Sequence, residues 1–170
     1  VRVITEEEER AVIEYFKDIK EFDMADLILV LADTGCRLSE ILNLSPKDVD
    51  LNKGMIYIWE NKADEPKSVP MTGRVFEVMK RRGSRVFKGL LKDYVEKRWI
   101  KARKYLHLEH DKQFVIHALR HTCASRLVQG GVPLKHVQKW LGHKCYSTTE
   151  RYTHFRPDSL LAAVKVLERN

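Results

Sequence analysis

Apolar residues recur along this chain three or four positions apart through most of its length, a spacing that lines one face of an α-helix. Thr5 precedes Glu6, Glu7, Glu8 and Glu9, and apolar Val12, Ile13, Tyr15 and Phe16 follow. This order predicts an N-cap, acids in the first turn where the helix dipole favours them, and an amphipathic helix. Met24 to Ala32 is apolar apart from Asp26, as in a buried helix, until Thr34-Gly35 interrupts it, and a helical pattern resumes from Arg37 to Leu44. Between Val49 and Met71 the pattern changes. Leu51-Asn52-Lys53-Gly54 is a turn signal, Met55 to Trp59 favours strand, and Lys67 to Met71 follows the polar run Asn61 to Pro66, which together predict a small antiparallel sheet. Helical spacing returns with Val75, Phe76, Val78 and Met79, continues from about Leu90 to Leu106, and occupies His117 to Gln129, Pro133 to Leu141 and Pro157 to Leu167. The expected fold class is therefore mainly α with a small antiparallel β-sheet, an α+β arrangement without internal repeats.

A chain of 170 residues with 44% hydrophobic content suits a single domain spanning 1–170. It starts without Met and reaches a helical pattern within five residues, as expected of a fragment whose upstream domain is absent. Three cysteines, Cys36, Cys123 and Cys145, form no CxxC pair, which argues against a disulfide framework or zinc knuckle and favours a reducing, cytoplasmic setting. No apolar run approaches the length of a membrane span, and no signal peptide opens the chain. The net charge of +7 and a pI near 9.3 favour an anionic partner, with nucleic acid foremost.

Within this frame, His117-Ala118-Leu119-Arg120-His121 places His117 and Arg120 three apart and thus on one helix face. Leu141-Gly142-His143 lies downstream, with Gly142 suited to stop a helix and leave His143 projecting from the turn, and Tyr152 comes next. Upstream stands Thr34-Gly35-Cys36-Arg37-Leu38-Ser39-Glu40. No paired carboxylates, no His/Cys grouping at metal-ligand spacing and no Gly-rich phosphate loop occur in the sequence, so two-metal nuclease chemistry and nucleotide hydrolysis are not suggested. No cofactor or metal is expected.

Taken together, these segments resemble the tyrosine recombinases of the phage integrase family, whose signature joins a TGxRxSE motif, a hairpin Lys, HxLRH, LGH and a Tyr nucleophile. The spacings agree, since Lys62 lies 25 residues after Arg37 and Tyr152 nine after His143. The resemblance covers residues from about 5 to 168. It implies a recombinase catalytic-domain fold with the N-terminal core-binding domain missing, and an active site of Arg37, Lys62, His117, Arg120 and His143 around the nucleophile Tyr152. It implies a site-specific recombinase or integrase that cleaves and rejoins DNA through a 3′-phosphotyrosine, without ATP.

Each residue suits the part the resemblance gives it. Two guanidiniums can fork onto the non-bridging oxygens of one phosphodiester. His117 is a candidate base for the phenol and His143 a candidate donor to a phosphate oxygen. Lys62 suits protonation of the leaving 5′-hydroxyl, with Lys67 on the same hairpin as its competitor. Glu40, three residues after Arg37, is a supporting residue expected to fix Arg37 or His117 by a charged hydrogen bond. Tyr146 also follows His143 but lacks the family spacing. The expected partners are double-stranded DNA, further copies of the chain in a tetrameric synapse and accessory DNA-bending proteins. The competing readings are a catalytically silent DNA-binding module and a type IB topoisomerase. The segment from Pro157 to Asn170 is expected to pack on its own core or on a neighbouring subunit.

Overall fold

The computed structural model describes residues 2–59, 64–153 and 165–168. Helix α1 (Glu6–Asp18) starts as its sequence predicts. The Thr5 hydroxyl accepts from the Glu8 amide, and the Glu8 carboxylate accepts from the Thr5 amide, which closes a capping box. Helix α2 (Phe22–Thr34) is buried almost all round and forms the centre of the main core, against which α1, the sheet and the later helices pack. It ends at Gly35, whose φ of 66° is left-handed; a Cβ there would lie 3.0 Å from the Cys123 sulfur and 3.0 Å from Leu141.

Helix α3 (Leu38–Leu42) is shorter than the helical run from Arg37 to Leu44 predicts, and Arg37 is its N-cap. Pro46 disfavours helical backbone at Ser45, and a short 3-10 turn over Pro46–Asp48 follows instead. Strands β1 (Val49–Asp50), β2 (Met55–Ile58) and β3 (Lys67–Pro70) form the expected antiparallel sheet in the order β1-β2-β3. The two-residue alternation of β3 directs Lys67 and Val69 inward and Ser68 and Pro70 outward.

Helices α4 (Gly73–Arg82), α5 (Lys92–Tyr105) and α6 (Ala118–Gln129) complete the main core. Helix α7 (Leu134–Leu141) and the five-residue α8 (Tyr146–Glu150) build a second, smaller apolar cluster on α6 from Ala124, Val128, Leu134, Val137, Leu141 and Tyr152. The Trp140 indole N–H donates to the Thr34 carbonyl at 2.8 Å, which ties α7 to the end of α2. The helix expected from Pro157 to Leu167 lies outside the described residues except for its last turn. All three cysteines are free, with Cys36 and Cys123 buried. No described helix is long and apolar enough to cross a membrane.

Candidate active site

Four element ends meet where the small cluster joins the main core. The α2–α3 turn brings Arg37, the start of α6 brings His117, Arg120 and His121, the α7 terminus brings His143, and the approach to β3 brings Asp64 and Lys67. Arg120 is 4% exposed and is held by three partners: the Gly35 carbonyl at 2.8 Å, the Leu141 carbonyl at 3.1 Å and Asp64 at 3.0 Å. Two of these acceptors are carbonyls at helix ends, which have no partner within their own helix. Arg37 lies half-open to solvent and donates from Nε and Nη2 to the two oxygens of Asp64, at 2.8 and 3.2 Å. One carboxylate thus spans both guanidiniums. Burial pushes the Asp64 carboxyl up, but the Arg37 hydrogen bond and the charges of Arg120, Arg37 and Lys67 more than offset it and leave it below the ordinary carboxylate range.

An open cavity of about 250 Å³ adjoins this pair, with Arg37, Arg120, His117, Ser39, Lys92 and Glu96 among its walls. His117 and Arg120, which the helix period puts on one face, line this cavity together, and Arg37 reaches it from the α2–α3 turn. Lys62 lies outside the described residues. Its competitor Lys67 is placed firmly: its side chain is 1% exposed, pairs with Glu40 at 3.1 Å and donates to the Leu141 carbonyl at 3.0 Å. Glu40 also accepts from the Arg37 backbone N–H at 2.7 Å, so its link to Arg37 is a helix cap, and the ion pair seen for Glu40 is with Lys67.

Gly142 ends α7 with φ of 76°. Its carbonyl accepts from the Glu65 amide at 2.7 Å, and a Cβ at this position would stand 2.8 Å from the Glu65 oxygen, so glycine is required for the hairpin to sit on this turn. His143 follows, buried, with its Nδ1 2.7 Å from the Thr149 hydroxyl; Gln138 accepts from its backbone N–H and donates to its carbonyl. Tyr152 is 2% exposed, in the small apolar cluster, and its hydroxyl shares a 2.6 Å hydrogen bond with His121 Nδ1. The sequence made His117 the candidate base for the phenol; in the structure the residue hydrogen-bonded to it is His121, one helical turn further along α6. The His117 and His121 rings meet edge to face at 5.0 Å. The repeat of histidine at i and i+4 was the available signal for His121, whereas nothing in the sequence marked Asp64. Tyr146 sits partly buried against the same small cluster. Among the described residues no three His, Cys, Asp or Glu side chains are grouped to hold a metal.

Burial pushes the Tyr152 phenol up and the His117 imidazole down, the latter aided by Arg120 and Arg37. Burial likewise depresses His121 and His143 to about 4, with the charges of His117 and Arg120, respectively, next in effect. The unfolded chain, with ordinary histidines, binds more protons than the native one between about pH 6.5 and the folded values near 4, so stability falls as pH drops through that window. The urea midpoint is expected to be lower at about pH 5 than at about pH 7, and that difference should shrink in His121→Asn. Equal midpoints at the two pH values would contradict this.

The model of the phage integrase family matches residues 2–158. The chain belongs to that family. A probable integrase/recombinase protein of Methanocaldococcus jannaschii is 35% identical over 161 residues, covering 83% of this chain and 49% of that relative. The catalytic domain of bacteriophage HP1 integrase superposes with a TM-score of 0.79 at 24% identity, covering 97% of this phage integrase family member and 94% of that domain. XerH site-specific recombinase, solved bound to its difH substrate, superposes with a TM-score of 0.74 at 27% identity over 99% of this chain and 55% of XerH. The chain spans about half the length of the curated relatives it matches. Its family fold is thus the integrase catalytic-domain fold, with the small sheet and the Arg37–Arg120 pair framed as described.

Proposed function

We propose that residues 1–170 form the catalytic domain of a site-specific recombinase that cleaves and rejoins double-stranded DNA through a 3′-phosphotyrosine on Tyr152. The observation that carries this reading is the convergence of Arg37 and Arg120 on a single oxyanion beside an open cavity that His117 also lines. A pair of guanidiniums so placed supports the two non-bridging oxygens of a scissile phosphodiester and the further charge that gathers on five-coordinate phosphorus. The Tyr152 oxygen attacks phosphorus, its proton passes to a histidine of the α6 pair, and the bond from phosphorus to the 5′-oxygen breaks. That oxygen takes a proton from Lys62. The 5′-hydroxyl of another strand reverses the sequence, and since one phosphoester replaces another, no ATP is required. Because Tyr152 is buried away from the cavity walls, the phenol has to move out of its apolar seat to reach phosphorus. His143 supplies a further hydrogen bond to the phosphate. A tetrameric synapse and accessory DNA-bending proteins belong to this same reading.

The test is incubation with a nicked DNA suicide substrate in EDTA, followed by a denaturing gel. A covalent protein–DNA adduct is expected; its absence, with full-site DNA and an added upstream domain, would leave the silent DNA-binding reading. The choice of Lys62 over Lys67 has its own measurement. General-acid assistance is worth about 10²- to 10⁴-fold, and a 5′-bridging sulfur leaves without a proton, so this substrate restores cleavage by Lys62→Ala. Lys67→Ala should not be restored, because it removes the cation of a buried pair with Glu40 and costs about 3–5 kcal/mol of stability. Rescue of Lys67→Ala alone would exchange the two assignments.

A further inference from the structure

We propose that Asp64 is a displaceable stand-in for the scissile phosphate: its carboxylate competes with the DNA for Arg37 and Arg120, and it thereby sets the affinity of the pair for substrate. This inference rests on the phosphate-binding reading of the two arginines given above. Three observations carry it. First, Asp64 makes the contacts a bridging oxyanion makes, two from the Nε/Nη2 edge of Arg37 and one from Arg120 through the shared oxygen Oδ2. That edge of a guanidinium is suited to two-point binding of a carboxylate or a phosphate alike. Second, the carboxylate is 3% exposed and neutralises a cation, Arg120, that is itself 4% exposed. A buried guanidinium without a counter-ion is costly, so the pair needs an anion whenever DNA is absent. Third, Asp64 precedes the sheet ladder, which starts at Lys67 opposite Ile58. Its side chain can therefore leave without breaking a strand pairing, while the Glu65 amide and Lys67 keep that end of the hairpin attached to the α7 turn.

Keeping both anions on the arginines sets two like charges against each other and halves the net positive charge that faces a phosphorus gaining negative charge in the transition state. Expulsion of Asp64 resolves that conflict. If the carboxylate occupies the arginines about nine-tenths of the time, the apparent affinity for phosphate is weakened about tenfold. Removing the competitor should restore that factor.

The experiment titrates the full chain with inorganic phosphate at constant ionic strength and follows the melting temperature, for wild type, Asp64→Asn and Glu96→Gln. Glu96 lines the same cavity and reports the effect of charge alone. Asp64→Asn is expected to melt lower without phosphate and to bind phosphate at least about tenfold more tightly than wild type, with Glu96→Gln within about twofold. Equal or weaker binding by Asp64→Asn, or an equal gain in Glu96→Gln, overturns the proposal; weaker binding would make Asp64 a brace for the arginines instead. Should Asp64→Asn not fold, the carboxyl ¹³C resonance of Asp64 in the wild type decides. Saturating phosphate should move it to the position of a free carboxylate, and an unmoved resonance overturns the competition. Covalent adducts formed by a protein that fails these tests would remove only the part given to Asp64, whereas loss of adducts would strike at the reading beneath it.

Discussion

Tyr152→Phe should abolish the covalent protein–DNA adduct, by at least about 10⁴-fold, while leaving DNA affinity within about twofold. The substitution deletes one oxygen. The ring keeps its place among Ala124, Val128, Leu134, Val137 and Leu141, so the small cluster loses no apolar contact. His121 loses the 2.6 Å partner on its Nδ1, which costs about 1 kcal/mol and is tolerable at a half-buried site. Chemistry and folding thus separate cleanly in this variant. The check is the nicked-substrate gel beside a filter-binding titration. Adducts that persist in Tyr152→Phe would transfer the nucleophile to Tyr146, which packs against the same cluster.

Arg120→Lys should lower cleavage by about 10²- to 10³-fold although the charge is retained, and should destabilise the fold by about 2–4 kcal/mol. Arg120 spans the Gly35 carbonyl, the Leu141 carbonyl and Asp64 with one planar group. An ammonium is a point donor on a flexible stem and cannot hold three acceptors set around a guanidinium plane, so at least one buried carbonyl loses its partner. Arg37→Lys makes the instructive comparison. Arg37 is half-open and, among the described residues, its side chain bonds Asp64 alone, so a similar loss of rate should come with a smaller loss of stability. Single-turnover cleavage and urea unfolding of the two variants measure both quantities. Full rate in either variant would refute the phosphate-clamp assignment, and equal destabilisation would refute the argument from burial.

Much of the site was legible because its signals are local. An arginine directly after a helix-stopping Gly35-Cys36, a histidine and an arginine three apart on α6, and a glycine that turns the chain before His143 each depend on neighbours a few residues away. The direction of Lys67 was also within reach, since strand alternation puts it on the same face as Val69, and that face is buried. What local pattern left open was the full set of partners of each group. Glu40 was expected to hold Arg37 or His117 by a charged hydrogen bond; it does hold Arg37, at the backbone N–H, and it shares that carboxylate with Lys67, which enters from the hairpin. His117 was the candidate base for the phenol; in the structure the small cluster draws the Tyr152 ring inward, one turn further along α6, where His121 makes the hydrogen bond to it.

By itself, then, the sequence determined the family, the mainly α fold with one small antiparallel sheet, and the cast of candidate residues, because helix period, strand alternation, turn glycines and motif spacing are properties of short stretches of chain. Only the tertiary structure decided which oxyanion bridges Arg37 and Arg120, which cation satisfies Glu40, and where the Tyr152 phenol rests. Those pairings join segments far apart in the chain, and they are selected by burial: a charge removed from water takes whichever counter-charge the packing delivers, and no local pattern records which one that is.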